Sequence, residues 1–313
     1  MPATPARTLS DKAMRNLAAQ GDAGTAWLAG LPGLIATLEP RWCITVGPAM
    51  AGGTEAFVAE TLSDKGEPGV LKIPIPGSAS AVREAAFLRA ADGHGYVRLL
   101  QHDPDSGAML LERLGRQLFQ FGYPIERTIE IICGILKEGW RPPPLGLRLM
   151  TGAEKAEGLA GDVRRVSQTI PGACTERAAQ VALRFAEQRR AAFDPATAVL
   201  GHGDAHCWNT LEDPKTGGFK FVDPDGLFIE RAHDLSISLR EWPADLLAGD
   251  PVARGHARRD LMARLTSVDP VAIWQWGLLE TLVNGLLYLE VGSPSDAAPF
   301  IAVAEAWAAA EGD

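Results

Sequence analysis

The chain has 313 residues, 46% of them hydrophobic and 22% charged, with 30 basic against 39 acidic side chains and a formal net charge of −9. Apolar content at that level supplies a core and excludes intrinsic disorder, while the net acidity argues against broad binding to a nucleic-acid backbone. The length favours two domains or lobes over a single core.

The opening MPATPARTLSDK has no apolar run before a cleavage site, so no signal peptide is expected. Two short helical patterns follow before Pro40. The uncharged stretch from Ala23 to Leu38 is broken by Pro32 and falls short of the roughly 20 apolar residues of a membrane span. Strands are predicted at 42–46, 56–62 and 70–73, with a glycine-bearing loop between the first two. A helix is predicted over 78–91, then a hairpin of 96–102 and 108–114 across Asp-Pro-Asp-Ser-Gly. Helical patterns dominate thereafter, at 125–138, 152–169, 175–192, 251–265, 270–290 and 297–310, with one short hairpin near 209–223. This order predicts an α+β chain: a mixed sheet lobe over 1–114 and a mainly helical lobe over 115–313. The four cysteines, Cys43, Cys133, Cys174 and Cys207, are far apart and lack a C-x-x-C. They read as core or incidental thiols of a cytoplasmic protein. Charge is uneven. Up to Leu118 there are eleven basic and twelve acidic residues; beyond it there are nineteen and twenty-seven. The acidic second half is either a solvated surface or the receiver of a cationic ligand.

The chemistry concentrates in Gly201-His202-Gly203-Asp204-Ala205-His206-Cys207-Trp208-Asn209, followed by Phe219-Lys-Phe-Val-Asp223-Pro-Asp225-Gly226. The turn-rich 213–218 predicts an antiparallel hairpin centred near residue 216, which sets Asn209 opposite Asp223. Two side-chain oxygens at a hairpin's open end suit Mg²⁺, which takes few protein ligands and fills its octahedron with phosphate oxygens and water. Asp204, five residues before Asn209, is placed to accept a proton from an attacking hydroxyl or to orient it. His202 reads as a structural hydrogen-bonder. The alternation of His202, Asp204 and His206 leaves open a second reading, metal ligands of a hydrolase on one strand face.

Asp-x-x-x-x-Asn followed by a strand-borne Asp is the phosphoryl-transfer arrangement of the kinase fold. The segment resembles the HGD-x-x-x-x-N and D-x-x-G motifs of the aminoglycoside phosphotransferase family, within its streptomycin 6-kinase and hydroxyurea-resistance kinase branch. Asp223-Pro-Asp-Gly226, Arg231-Ala-His-Asp234-Leu and Asp269-Pro-Val-Ala-Ile-Trp274-Gln-Trp276-Gly277 extend the resemblance, which covers about 42–290. It implies a protein-kinase-like two-lobe fold, ATP and Mg²⁺ as cofactors, and transfer of the γ-phosphoryl group to a hydroxyl of an aminoglycoside-type acceptor. Streptomycin is the acceptor the branch implies; hydroxyurea or another small hydroxylated metabolite is the alternative. The resemblance also implies that Asp234 holds the catalytic loop through backbone hydrogen bonds, where the sequence alone equally allows a helix N-cap. Only eleven positions separate Asp223 from Asp234, too few for the activation segment of a protein kinase.

A kinase needs a glycine-containing loop whose N–H groups approach phosphates, and Gly52-Gly53-Thr54 between two strands qualifies. Lys72 ends the third strand. In the next helix Ala81, Glu84, Ala85 and Leu88 share one face, so Glu84 lies on an apolar stripe and needs a partner. Lys72 is the natural one, held toward the α- and β-phosphates. The resemblance places adenine against the backbone near Glu112 and Leu114. For a cationic acceptor, Asp225 lies two residues beyond the proposed metal ligand. Trp276, Glu280 and Asn284 form a helical stripe able to take a guanidinium, unless Trp276 is simply core.

Overall fold

Two helices precede the first strand, α1 (Asp11–Ala18) and α2 (Gly21–Trp42). The structure, a computed structural model, describes residue 9 and residues 11–50, 55–77 and 79–312. It divides into two compact units, Met1–Gly115 with Asp213–Thr216, and Arg116–Glu212 with Gly217–Asp313.

Two helices precede Pro40 as predicted, but α2 is 22 residues long and runs through Pro32 and Pro40 to Trp42, where the sequence predicts a strand to have begun. Leu31, Ile35 and Leu38 are buried, whereas both prolines are exposed. That stripe, spaced four and three apart, outweighs the roughly 3 kcal/mol an interior proline costs. Cys43 ends the helix in a left-handed conformation, φ 54°, and the strand starts one residue later. The sheet comprises β1 (Ile44–Ala49), β2 (Ala56–Ser63), β3 (Pro68–Pro74), β4 (Leu99–His102) and β5 (Met109–Glu112), in the order β1-β2-β3-β5-β4 with every pair antiparallel. α1 and α2 cover it with Ala13, Leu17, Leu31, Ile35 and Leu38, packed on Val46, Phe57, Leu71 and Ile73. α3 (Ala79–Ala91) buries Glu84, Ala85, Phe87 and Leu88.

The second unit opens with a single 3₁₀ turn, Leu118–Phe121, followed by α4 (Ile125–Gly139), β6 (Met150–Thr151), α5 (Gly152–Thr169) and α6 (Glu176–Ala192). Four short strands come next: β7 (Val199–Gly201), β8 (Thr210–Glu212), β9 (Phe219–Phe221) and β10 (Leu227–Ile229). The chain closes with α7 (Arg231–Arg240), α8 (Pro243–Leu247), α9 (Pro251–Thr266), α10 (Pro270–Glu290) and α11 (Pro294–Ala310). Helix starts follow their capping residues. Thr151 and Glu154 form a reciprocal capping box, and the carboxylates of Asp250 and Asp269 cap α9 and α10 ahead of a proline. α10 is the centre of this unit, packed by α5, α6, α7, α9 and α11. Its residues from Ala272 to Val283 are buried without a break. A helix apolar all round is a core helix, so the one carboxylate inside that run, Glu280, demands compensation. The sequence reading misses α7 and α8. Eight consecutive residues of α7, Ala232 to Leu239, are buried, which erases the amphipathic period that marks a helix. Among the described residues no helix is long and apolar enough to cross a membrane.

Candidate active site

β7 and β10 pair antiparallel, and the segment 202–209 leaves the end of β7 to reach β8. Gly203 turns it with φ +91°, and a Cβ there would lie 2.7 Å from the Asp225 Cβ, so only glycine fits. The loop is held from below by Asp234. Its Oδ2 accepts from the His202 N–H at 3.1 Å and the Trp140 indole at 3.0 Å, and its Oδ1 from the Gly203 N–H at 2.9 Å. Asp234 lies inside α7, whose N-cap is Glu230, so the helix-cap alternative falls away. Burial favours its neutral form, but His233 and the donors on it outweigh that and keep the carboxyl below its usual range.

His202 is fully buried and both its ring nitrogens are engaged. Nε2–H donates to the Val222 carbonyl at 3.0 Å and Nδ1 accepts from the Asp204 N–H at 3.1 Å. Burial lowers its pKa and the ring is neutral. In His206, Nδ1 accepts from the N–H groups of Trp208 and Asn209, both at 3.2 Å, and Nε2 faces Asp204 Oδ2 at 3.1 Å. Neither imidazole keeps a nitrogen for zinc. This removes the hydrolase reading of His202, Asp204 and His206.

The Asp204 carboxylate receives three groups. Arg240 Nη2 lies 3.1 Å from Oδ1, His206 Nε2 lies on Oδ2, and Asn209 Nδ2 reaches Oδ2 at 3.4 Å. Burial works to raise its pKa, but the His206 hydrogen bond and the Arg240 charge bring it down to about 2. Asp204 is therefore ionised throughout the physiological range.

Arg240 also explains Glu280. Its Nη1 lies 3.2 Å from Glu280 Oε2, and Glu280 Oε1 is 2.9 Å from His233 Nε2 and 3.3 Å from Lys155 Nζ. Three cationic or donor groups hold this buried carboxyl far below its usual range against the cost of burial. The expectation that Glu280 and Trp276 form an open stripe is thus corrected. Trp276 has no exposed surface, its ring edge meets His233, and its indole donates to Glu230 Oε1 at 2.8 Å. Arg240 and Lys155 were missed in the sequence, and His206 was read as a possible metal ligand rather than as a partner of Asp204. A charged residue inside the apolar run of α10 was the available signal that such partners exist.

The hairpin also differs from expectation by one residue. Thr210 pairs with Phe221, and Asn209 accepts through its backbone carbonyl from the Val222 N–H at 2.9 Å. Asn209 is opposite Val222, because the turn centres half a residue earlier than predicted. Asp223 follows one position beyond the ladder, exposed, with a left-handed φ of 56°. The Asn209 amide nitrogen is spent on the Asp204 carbonyl at 3.1 Å. Its side-chain oxygen accepts no hydrogen bond among the described residues. Asp225 is exposed and its carboxylate is likewise free of hydrogen bonds and ion pairs there. The surrounding protein solvates it poorly and raises its pKa; Lys155 opposes this and Asp204 adds to it.

In the first unit Lys72 Nζ is 2.7 Å from both carboxylate oxygens of Glu84, whose residue is 4% exposed. Glu112 is paired in β5 and turns its carboxylate to the Arg98 N–H at 2.9 Å; Leu114 is buried. Gly52, Gly53 and Thr54 lie outside the described residues.

The family model described as aminoglycoside/hydroxyurea antibiotic resistance kinase matches residues 41–292. A streptomycin 6-kinase of Streptomyces glaucescens is 30% identical over 292 residues, covering 87% of this chain and 88% of that protein. A hydroxyurea phosphotransferase of Kitasatospora aureofaciens is 31% identical over 302 residues, covering 91% and 81%. Among solved structures, a choline kinase from Streptococcus pneumoniae superposes with a TM-score of 0.59 at 15% identity, over 86% of this chain and 97% of its own. The fold is protein-kinase-like.

Proposed function

Because this chain belongs to the aminoglycoside/hydroxyurea antibiotic resistance kinase family and is a phosphotransferase, we propose that it transfers the γ-phosphoryl group of ATP to a hydroxyl of a cationic, aminoglycoside-type acceptor, streptomycin being the first to test. The observation that carries this reading is the held Asp204. An ionised carboxylate, fixed by Arg240 and His206 on a loop pinned by Asp234, is equipped to orient an acceptor hydroxyl. Asn209 and Asp223 fit a magnesium ion: both offer hard oxygen donors, and the Asn209 side-chain oxygen is unspent. Magnesium would neutralise phosphate charge there. Asp225, whose carboxylate makes no hydrogen bond or ion pair among the described residues, suits a cationic group on the acceptor. Lys72, aligned by Glu84, suits the α- and β-phosphates.

A screen with γ-labelled ATP against aminoglycosides, hydroxyurea, neutral sugars and amino alcohols tests the reading. A neutral sugar outcompeting every cationic acceptor would overturn the cationic class, and no transfer to any hydroxyl would overturn the activity. Asp225→Asn is expected to raise the acceptor KM by the equivalent of roughly 1.5–3 kcal/mol and to spare the KM for ATP, read by varying each substrate in turn. Lys72→Ala is expected to raise the KM for ATP strongly and Glu84→Gln less so. The two effects should be non-additive in the double variant, since Glu84 acts through Lys72; additive losses in the cycle would separate them.

A further inference from the structure

All eight tryptophans lie among the described residues, and Trp208 alone is exposed, at 51%. It sits in the loop that carries Asp204, immediately before Asn209. What singles it out is its place beside Asp204 and Asn209, where an amphipathic ring can present a face to a bound molecule. Nor is the indole loose. Its backbone N–H donates to His206 Nδ1 at 3.2 Å, its carbonyl accepts from Gln117 Nε2 at 2.8 Å, and its ring stacks on Phe119 with centroids 3.5 Å apart and planes inclined by 26°. His206, the residue that fixes Trp208 on one nitrogen, touches the Asp204 carboxylate with the other. The backbone of Trp208 is thus fixed through the imidazole that also touches Asp204, and its indole is backed by Phe119.

The charge of the surroundings selects what the open side can take. Asp225 and Glu241 each have a carboxylate with no hydrogen bond or ion pair among the described residues. Burial raises the pKa of both; Lys155 opposes this at Asp225, Arg240 and His206 oppose it at Glu241, and the Asp204 charge adds to it at each. A tryptophan face is the strongest aromatic partner for a guanidinium or ammonium group, and carboxylates around Asp204 favour a cation over a neutral ligand. The adjoining aromatic Phe121 already uses this chemistry, with the Arg116 guanidinium 4.1 Å from its ring centroid.

We propose that Trp208 is a specificity-determining wall of the acceptor site, its open face receiving a guanidinium or ammonium group of the acceptor while Phe119 backs the indole. This rests on the phosphotransferase reading above. The wall contributes binding and orientation and takes no part in the bond changes. Because the indole face is electron-rich, it discriminates between a cationic group and a neutral one of the same size, which a purely steric wall does not.

The test uses the full chain, with streptomycin as the cationic probe and myo-inositol as the neutral ring. Trp208→Ala is expected to raise the KM for streptomycin about 2- to 30-fold, the range of a single cation–π contact, and to leave the KM for ATP within about twofold. Trp208→Phe, which keeps a weaker ring, should fall between. Equilibrium binding is read separately, without turnover: streptomycin should change the tryptophan emission of the wild type, Trp208→Phe should lose most of that change, and myo-inositol should produce none. A streptomycin KM unchanged in Trp208→Ala overturns the proposal. So does a rise confined to the KM for ATP, which would put the indole against the nucleotide. If the wild type transfers phosphate to no hydroxyl yet binds streptomycin with a Trp208-dependent emission change, the activity reading fails and the wall stands. If it transfers phosphate but Trp208 is indifferent to streptomycin in both measurements, the wall fails alone.

Discussion

Asp204→Asn is expected to lower phosphoryl transfer by ~10²- to ~10⁴-fold while nucleotide affinity stays within a few-fold. The amide nearly matches the carboxylate in shape but loses its charge and turns an N–H toward groups that themselves donate. Arg240 and His206, at 3.1 Å each, would face a mismatched partner. Since the wild-type carboxyl titrates near 2, its protonation does not produce an acid limb of the rate profile between pH 5 and 7. So low a pKa also makes Asp204 a poor store for a proton, so the role proposed for it is to orient the acceptor hydroxyl. Steady-state rates with saturating ATP decide the matter, and turnover above a third of wild type would remove Asp204 from this role.

Arg240→Met should damage both stability and turnover. Among the described residues Arg240 is the side chain that bridges Asp204 to the buried Glu280. Removing one partner of a buried ion pair typically costs about 3–5 kcal/mol; with Lys155 and His233 still on Glu280, a loss of about 3 kcal/mol is expected. The same change raises the pKa of Asp204, whose depressed value depends partly on the Arg240 charge. The sign follows from linkage. A carboxyl with a lowered folded-state pKa contributes stability that is complete above its unfolded value, near 3.9, and is lost as pH falls through the folded value of about 2. In Arg240→Met that contribution shrinks, so acid unfolding should begin at a higher pH. Urea denaturation at neutral pH and circular dichroism along an acid titration provide the two readings. A wild-type midpoint together with a wild-type acid limb would show that the bridge contributes nothing.

Local sequence was a good guide wherever one residue type has one use. The Asp-Pro starts of α9 and α10 and the lone carboxylate on the apolar face of α3 were legible, because capping and charge burial act over a few positions. The long-range partners were not. Nothing near Glu280 in the chain announces Arg240, 40 residues earlier, or Lys155 in α5, since the three meet only when α10 is enclosed. Trp276 and Glu280 occupy one helical stripe as expected, but periodicity does not say whether a stripe faces water or other helices. α7 was hidden for the same reason: uniform burial leaves no periodic trace. The hairpin register slipped by one because a six-residue connection closes as readily about either centre.

The position of Glu280 ties the reacting loop to the middle of the hydrophobic interior, with only Arg240 between them. A methyl group gained or lost on α10 shifts the base of that bridge. Interior substitutions that would ordinarily register as lower melting temperatures should therefore also register as slower turnover. Mutant libraries meant to broaden the acceptor range are better confined to the rim, at Trp208, Phe119 and Asp225, than spread across this helix. Thermal hardening by repacking α10 carries a catalytic risk that repacking α1 and α2 does not share.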